Sequence, residues 1–141
     1  MRDIAFIFFL AAVLCVTGGM IWGLQMAASG DHAMVGAHAH LNLVGWATMA
    51  LFAIYYRLTP RAAQGWLPRI HAAAAILGVA IMVPGIAVAS TGGSPGLAIL
   101  GSMLTFASML IFLFTVVRYG FGAAQADHRR ARLDAALTPA E

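Results

Sequence analysis

The sequence has no lysine, a single cysteine and few charged residues of either sign. Of its 141 residues 62% are hydrophobic and 9% are charged, with eight arginines against five acidic residues. Soluble domains carry about 25% charged residues. The composition therefore excludes an ordinary soluble enzyme, a disordered tail and a nucleic-acid-binding module. The lone Cys15, inside an apolar run, also excludes a disulfide framework and a CxxC metal site.

Four long apolar stretches make up most of the chain. They run from about Ile4 to Ala28, Val35 to Tyr56, Ile70 to Ala89 and Gly96 to Tyr119. Each is close to the ~20 apolar residues that cross a bilayer, and a backbone in lipid must satisfy its own hydrogen bonds. The first stretch exceeds the about 7–15 apolar residues of a cleaved signal peptide, so we expect it to be retained. The prediction is an all-α, polytopic membrane protein, with a transmembrane four-helix arc over residues 1–122 and a tail over 123–141.

The arginines are confined to one side of this predicted arrangement. The loop after the second stretch and the C-terminal segment contain seven of the eight: Arg57, Arg61, Arg69, Arg118, Arg129, Arg130 and Arg132. Because arginine-rich loops stay in the cytoplasm, both termini and the middle loop are predicted to be cytoplasmic. The localisation that follows is a bacterial-type inner membrane. Trp66, Tyr55 and Tyr56 are expected to act as aromatic anchors at the inner face.

Two histidines lie about one turn inside the outer end of the second predicted helix. His38 and His40 are flanked by the small residues Gly36, Ala37 and Ala39. A buried imidazole without a partner is costly in hydrocarbon, and ionisable side chains within a membrane are functional candidates by default. Residues two apart on a helix point about 200° from each other. One metal shared by the pair is therefore disfavoured, and one ligand for each of two sites is favoured.

The nature of those sites follows from what surrounds the pair. No cysteine, aspartate or glutamate lies at that depth, so a zinc or iron–carboxylate centre lacks ligands. Haem, which accepts neutral imidazoles as axial ligands, fits better, and we predict haem b. The alternative is that the two histidines hydrogen-bond across a helix interface and hold no cofactor.

The other three histidines have simpler interpretations. His32, in the outer loop, and His128, in the tail, are expected to be solvated. His71 begins the third helix at the inner end, about 25 Å from His40 at a rise of 1.5 Å per residue, which is too far to share a site. We expect His71 to snorkel to the interface beside Arg69. A second, inner metal site is the alternative.

The segment that contains the histidine pair resembles a known membrane family. Residues 38–46 read HAHLNLVGW and residues 55–60 read YYRLTP. This segment is similar to the HxHLNxxGW…YYxLxP segment of subunit I-like proteins of the haem-copper oxidase superfamily, including its nitric oxide reductase branch. The resemblance makes His38 and His40 metal ligands, and it adds Asn42 and Trp46 to them as cofactor-binding residues.

The resemblance also implies an assembly. The family's catalytic subunit has about twelve membrane helices in three four-helix arcs, and a His-x-His pair on one helix serves two haems. A four-helix chain would imitate that subunit as a homotrimer, in which His38 of one protomer and His40 of the next hold each haem. The predicted spans contain no carboxylate or lysine, and the outer side has no arginine for the haem propionates. Proton-coupled oxygen reduction or pumping is therefore not expected.

Three functions are compatible with these observations. The leading hypothesis is a b-type haem protein for electron transfer, or for haem storage or sensing, with histidine at both axial positions. The second is an enzyme that reduces O₂ or NO at an open haem position or at a copper ion held by symmetry-related histidines. The third is a non-catalytic subunit of a larger respiratory complex, with structural histidines. The sequence predicts a bilayer and further copies of the chain as partners, and no nucleic acid; the redox partner stays unknown.

Overall fold

A computed structural model of the chain describes residues 3–122 and Arg132, and four long helices account for most of them. Helix α1 spans Ile4–Ser29, α2 spans Val35–Leu58, α3 spans Leu67–Ser90 and α4 spans Gly96–Tyr119. Each is long and apolar enough to cross a membrane, which confirms the prediction of an all-helical, multi-pass membrane protein. Its orientation and the four-helix arc stay predictions. The predicted tail, 123–141, lies outside the described residues apart from Arg132.

Two helices extend beyond their apolar stretches at the end of the bundle that carries Arg57, Arg61 and Arg69, which we call the arginine end. Helix α2 continues to Leu58 and α3 already begins at Leu67. A proline occupies the first turn of α3, where its missing N–H is no loss. Both helices therefore include residues that lie outside the apolar stretches predicted from the sequence. The opposite end, with His32, is called the histidine end.

Helix α1 has a defined cap at each end. Asp3 Oδ1 accepts a hydrogen bond of 2.9 Å from the backbone N–H of Phe6, which satisfies one of the free donors of the first turn. At the other end, Gly30 adopts a left-handed conformation with φ of 69° and donates its N–H to Met26. Glycine takes this conformation without strain, so the helix ends there.

Helix α2 changes its winding in the middle. Its three pieces are Val35–His40, Leu41–Thr48 and Met49–Leu58, of which the first and last are α-helical and the central one is π-helical. A π-helical stretch hydrogen-bonds over five residues instead of four, is rare, and occurs frequently at functional sites. The irregular stretch begins directly after His40. The part of α2 that contains the predicted site residues is therefore the part that departs from ordinary helix geometry.

Helices α3 and α4 pack with their backbones in close contact. A Cβ atom added at Gly101 would collide with the backbone nitrogen of Met82, and one added at Gly85 would collide with the backbone nitrogen of Ala98. Helix α1 packs chiefly against α2. Glycine at such crossings lets membrane helices approach closely enough for continuous van der Waals contact. The α3–α4 pair therefore depends on these two glycines.

We expect Gly101→Leu to separate α3 from α4. Because the obstacle is backbone rather than a flexible side chain, the cost is at least the ~1–3 kcal/mol typical of overpacking. The measurement is the midpoint of thermal unfolding in detergent, followed by loss of helical circular dichroism. Gly18→Leu is the control, since a Cβ at that position meets nothing within 4 Å. Equal midpoints for the two variants would contradict the account of this crossing.

The best-buried side chains lie towards the arginine end. Phe8, Phe52, Tyr56 and His71 are each no more than 3% exposed and belong to one cluster of rings from all parts of the bundle. By contrast, only 11% of the apolar window of α4 is buried within the chain. A large apolar surface is therefore left for lipid or for other chains.

The two tyrosines near the end of α2 are not interfacial anchors, so that expectation is wrong. Tyr55 and Tyr56 are 3% and 1% exposed. The Tyr55 hydroxyl donates to the carbonyl of Gly120 at 2.8 Å, which ties the end of α4 to α2. Their polar tips find partners inside the bundle instead of at its surface. Trp66, which is 70% exposed, is free to act as the predicted anchor.

Candidate functional site

The His38 ring lies between α2 and α1. It is half-buried, and the ring of Trp22 on α1 meets it edge to face with centroids 6.3 Å apart. A Cβ atom added at Gly23 would come within 3.2 Å of His38 Cε1. Glycine at position 23 therefore leaves the room that the imidazole occupies against α1.

Asn42 supports His38 from one turn further along α2. Its Nδ2 donates to the carbonyl oxygen of His38 at 2.9 Å. The same nitrogen lies 3.5 and 3.4 Å from Nδ1 and Nε2 of the His38 ring. Two long and nearly equal separations show that the amide is aligned with neither ring nitrogen. Gly19 on α1 provides space for the amide, since a Cβ there would overlap it. Asn42 thus holds the ring in place without engaging either nitrogen closely.

His40 has a different environment on the same helix. Its side chain is exposed, and its Nδ1 lies 2.8 Å from the carbonyl oxygen of Gly36. A carbonyl can only accept, so Nδ1 carries the proton and, in the neutral ring, Nε2 carries the free lone pair. A metal-binding histidine usually donates a hydrogen bond to a carbonyl oxygen from the ring nitrogen that does not bind the metal. This hydrogen bond fixes the tautomer and the orientation of the ring.

An open groove of about 380 Å³ lies beside His38. Its lining residues come from α1 and α2: Gly19, Met20, Gly23, Leu24, His38 and Asn42. Binding sites for small molecules range over about 300–1,000 Å³ and are mostly apolar with a few polar groups, as this one is. A flat apolar ligand against this groove would meet the His38 ring and the glycine surface of α1.

The remaining candidate, Trp46, is partly buried and packs against the hydrophobic core cluster of the bundle. Of the four residues predicted to bind a cofactor, the structure brings together His38 and Asn42. His40 lies on the exposed side of the helix, and Trp46 contributes to packing within the bundle.

The described residues of a single copy of the chain do not form a cluster of metal-binding side chains. Residues 3–122 and 132 contain no group of three or more histidine, cysteine, aspartate or glutamate side chains that could hold a metal ion. Instead, each of the two histidines can supply one imidazole ligand, and the two rings lie in different surroundings. Haem fits this donor set, because the porphyrin supplies four ligands itself and needs one or two from protein.

A second polar pair, which the sequence did not predict as a site, lies at the arginine end. The His71 ring is fully buried, with its Nδ1 2.8 Å from the hydroxyl of Tyr56. The rings of Phe52, Phe8 and Phe112 surround it at centroid distances of 4.5, 4.9 and 5.7 Å. His71 Nε2 has no hydrogen-bond partner in the described part of the chain.

The expectation that His71 snorkels to the interface is therefore wrong. Its ring points into the bundle because Tyr56 offers a polar partner there and the phenylalanines cover the rest. No spacing rule links Tyr56 to His71, since the two lie on different helices with a loop between them. The inner metal site considered for His71 is not supported by the described residues, because His71 belongs to no group of three or more histidine, cysteine, aspartate or glutamate side chains that could hold a metal ion there.

Compared with known proteins, the chain matches no family model, and no curated protein or solved structure shows significant similarity to it. Function must therefore be argued from the geometry of the site, because a helical membrane fold is compatible with many functions. His38 and His40, which lie on helix α2 near the histidine end, are the two histidines on a predicted membrane helix at that end, and the groove beside His38 leaves room for a ligand.

Proposed function

We propose that this protein is a membrane b-type haem protein that assembles as a homotrimer, with haems held between neighbouring subunits by His38 of one copy and His40 of the next. Its function is one-electron transfer near the histidine end of the bundle. The observation that carries the proposal is the His40 imidazole: it is exposed on an apolar helix, its Nδ1–H is donated to Gly36, and its Nε2 is left free.

The free Nε2 of His40 needs a partner if the helix lies in lipid. An unsatisfied polar group in hydrocarbon costs about 2–7 kcal/mol, depending on the reference state. The nitrogen faces away from its own bundle, so the partner has to come from outside the chain. A metal centre between two copies supplies a Lewis acid at that position, and the Gly36 carbonyl makes the imidazole a better donor.

His38 supports the proposal from the other side of the helix. Asn42 and Trp22 restrain the ring, while both of its nitrogens lack a close, aligned partner. Gly19 and Gly23 on α1 leave the space that the Asn42 amide and the His38 ring occupy. Both glycines also line the open groove beside His38, so a planar group in that groove would meet the His38 ring and the backbone of α1.

One ligand on each of two sides of the chain gives a head-to-tail assembly. If each chain gives His38 to one interface and His40 to the other, every interface contains one of each, and such contacts form a closed ring when the rotation between copies closes. Three copies supply the twelve helices of the superfamily subunit that the sequence resembles. This arrangement predicts one haem for each chain.

The chemistry of the assembly would be limited to electron transfer. Bound haem supplies reversible one-electron reduction of iron, at a potential set by its axial ligands and its surroundings. The chain's part would be to supply two imidazoles to one haem, with His40 oriented by the Gly36 carbonyl and His38 restrained by Asn42 and Trp22. With two protein ligands, that haem would have no position left for O₂, NO or another substrate.

The test is an absorption spectrum of the purified protein together with a pyridine haemochrome assay and protein quantitation. We expect a low-spin spectrum that carbon monoxide leaves unchanged, haem b, and one haem per chain. A protein without a Soret band would refute haem binding. A high-spin component that shifts with carbon monoxide would refute the electron-transfer role and favour the O₂ or NO reductase alternative.

The mass of the detergent-solubilised protein tests the assembly separately. We expect three times the chain mass of 14.8 kDa, after subtraction of bound detergent. A haem-containing monomer would refute shared ligation. A stable complex with a different polypeptide would instead support the subunit of a larger respiratory complex.

A further inference from the structure

An open groove of about 680 Å³ lies at the arginine end, between the first turns of α1 and the last turns of α2. It is far from the two imidazoles. Phe9, Ile54 and Leu58 contribute apolar walls and are 46–49% exposed. The groove therefore forms an apolar strip along α1 and α2, on the surface that faces the bilayer.

Among the described residues that line this groove, one is acidic and one is basic. Arg57 Nη1 lies 3.2 Å from Asp3 Oδ2, and the two side chains are 77% and 49% exposed. Asp3 is held in place because its other oxygen caps α1. An exposed pair of this kind contributes little to stability, because water and salt screen it. Both groups therefore remain able to interact with a ligand at small cost.

We propose that this groove binds a phospholipid with a primary ammonium in its head group, such as phosphatidylethanolamine. Its phosphate is bound by Arg57, its ammonium by Asp3, and one acyl chain lies along Phe9, Ile54 and Leu58. The argument is charge complementarity. The mouth of the groove has a cation and an anion side by side, and the head group carries an anionic phosphate and a cationic ammonium that can pair with them. Both contacts are charge-assisted hydrogen bonds.

The same argument disfavours the other common head groups. A phosphatidylglycerol has a net negative charge, so Asp3 repels the head group that Arg57 attracts. A phosphatidylcholine has a quaternary ammonium, which has no N–H to donate to the Asp3 carboxylate. The dimensions agree with a lipid, because the six steps of 1.5 Å from Asp3 to Phe9 rise about 9 Å, which takes the groove from the head-group level into the acyl region.

Native mass spectrometry of the full chain tests the proposal. The purified protein is reconstituted in nanodiscs with equal amounts of phosphatidylethanolamine, phosphatidylglycerol and phosphatidylcholine, and the retained lipids are counted after release. We expect phosphatidylethanolamine to exceed phosphatidylglycerol about fivefold, the effect of one favourable charge near a membrane surface. Equal retention of the two lipids would overturn the proposal.

Substitution of Asp3 tests most directly whether its negative charge selects the lipid head group. Asp3→Asn keeps a good helix cap but removes the negative charge, because asparagine and aspartate cap helices equally well. We expect the preference to reverse towards phosphatidylglycerol, since Arg57 then acts alone. An unchanged preference would show that the mouth does not select the head group and would overturn the proposal.

The apolar part of the groove is tested with a matched pair of substitutions. Ile54→Trp fills the groove, whereas Leu77→Trp places the same side chain on α3, outside the groove, at a residue that is 54% exposed compared with 49% for Ile54. We expect Ile54→Trp to reduce retained phosphatidylethanolamine about fivefold or more, because the acyl chain loses apolar contacts in the groove, and Leu77→Trp to leave it unchanged. Equal effects would overturn the proposal. So would a change of oligomeric mass with Ile54→Trp alone, which would assign the groove to a second copy of the chain.

Discussion

His40→Ala is expected to remove haem from the purified protein and to dissociate the trimer. The substitution deletes the imidazole whose Nε2 faces outwards and whose Nδ1–H is held by Gly36. Loss of a supporting contact alone costs a metal site about 10–100-fold in affinity, so loss of the ligand itself is expected to cost more than this. The measurements are haem per chain by pyridine haemochrome and mass in detergent. His38→Ala is expected to have the same two effects.

The chain contains a matched control for this experiment. His32 is also exposed, and its Nδ1 also lies near a main-chain carbonyl, that of Gly30 at 3.0 Å. It is in the loop between α1 and α2 rather than on an apolar helix face, so His32→Ala is expected to retain haem. Added imidazole is expected to restore part of the spectrum of His40→Ala. A native spectrum in both His38→Ala and His40→Ala would contradict the ligand assignment.

The four helices could be predicted from the sequence because lipid leaves the backbone few options. A stretch of about 20 apolar residues in a membrane has to form a helix, whatever its neighbours are. The bounds of α1 and α4 follow the apolar stretches closely, since Asp3 and Gly30 mark the ends of α1 in the sequence itself. The start of α3 at Leu67 differs because the helix already includes Leu67, Pro68 and the charged Arg69, which precede the unbroken apolar stretch.

The contacts between helices could not be predicted in the same way. Tyr56 and His71 were both expected at the interface, because polar tips next to arginines usually snorkel. Each ring is instead buried because it is the other's partner, and that pairing depends on how α2 and α3 pack. The location of Gly19 and Gly23 opposite Asn42 and His38 is likewise a property of the α1–α2 crossing.

The π-helical stretch is another feature that periodicity alone does not detect. The prediction that His38 and His40 point to different sides assumes an ordinary helix, and this assumption holds for Val35–His40. Beyond His40 the winding changes, so the faces of Asn42 and Trp46 cannot be counted at 100° per residue. Trp46, which lies within this stretch, is partly buried and packs against the core cluster of the bundle.

His71→Ala is expected to give one of the largest losses of stability in the protein. The ring is fully buried among aromatic side chains, and truncation of a buried aromatic ring to alanine costs about 3–5 kcal/mol in lost contacts and residual cavity. The measurement is the free energy of unfolding in mixed micelles. Met103→Ala is a suitable control, because that side chain is 62% exposed and leaves no cavity.

A double-mutant cycle with Tyr56 then separates the hydrogen bond from the packing. Tyr56→Phe removes the hydroxyl and leaves a second nitrogen of His71 buried without a partner, which costs about 1–3 kcal/mol. His71→Phe keeps a ring in the cluster but leaves the Tyr56 hydroxyl without the His71 nitrogen. When both are replaced, no polar group of the pair remains, and the double variant is expected to approach or exceed the unaltered protein in stability. Strictly additive losses would show that the two residues act independently and would contradict the pairing. Because Nε2 of His71 is unpartnered in the unaltered protein, the pair stabilises the bundle less than two phenylalanines would.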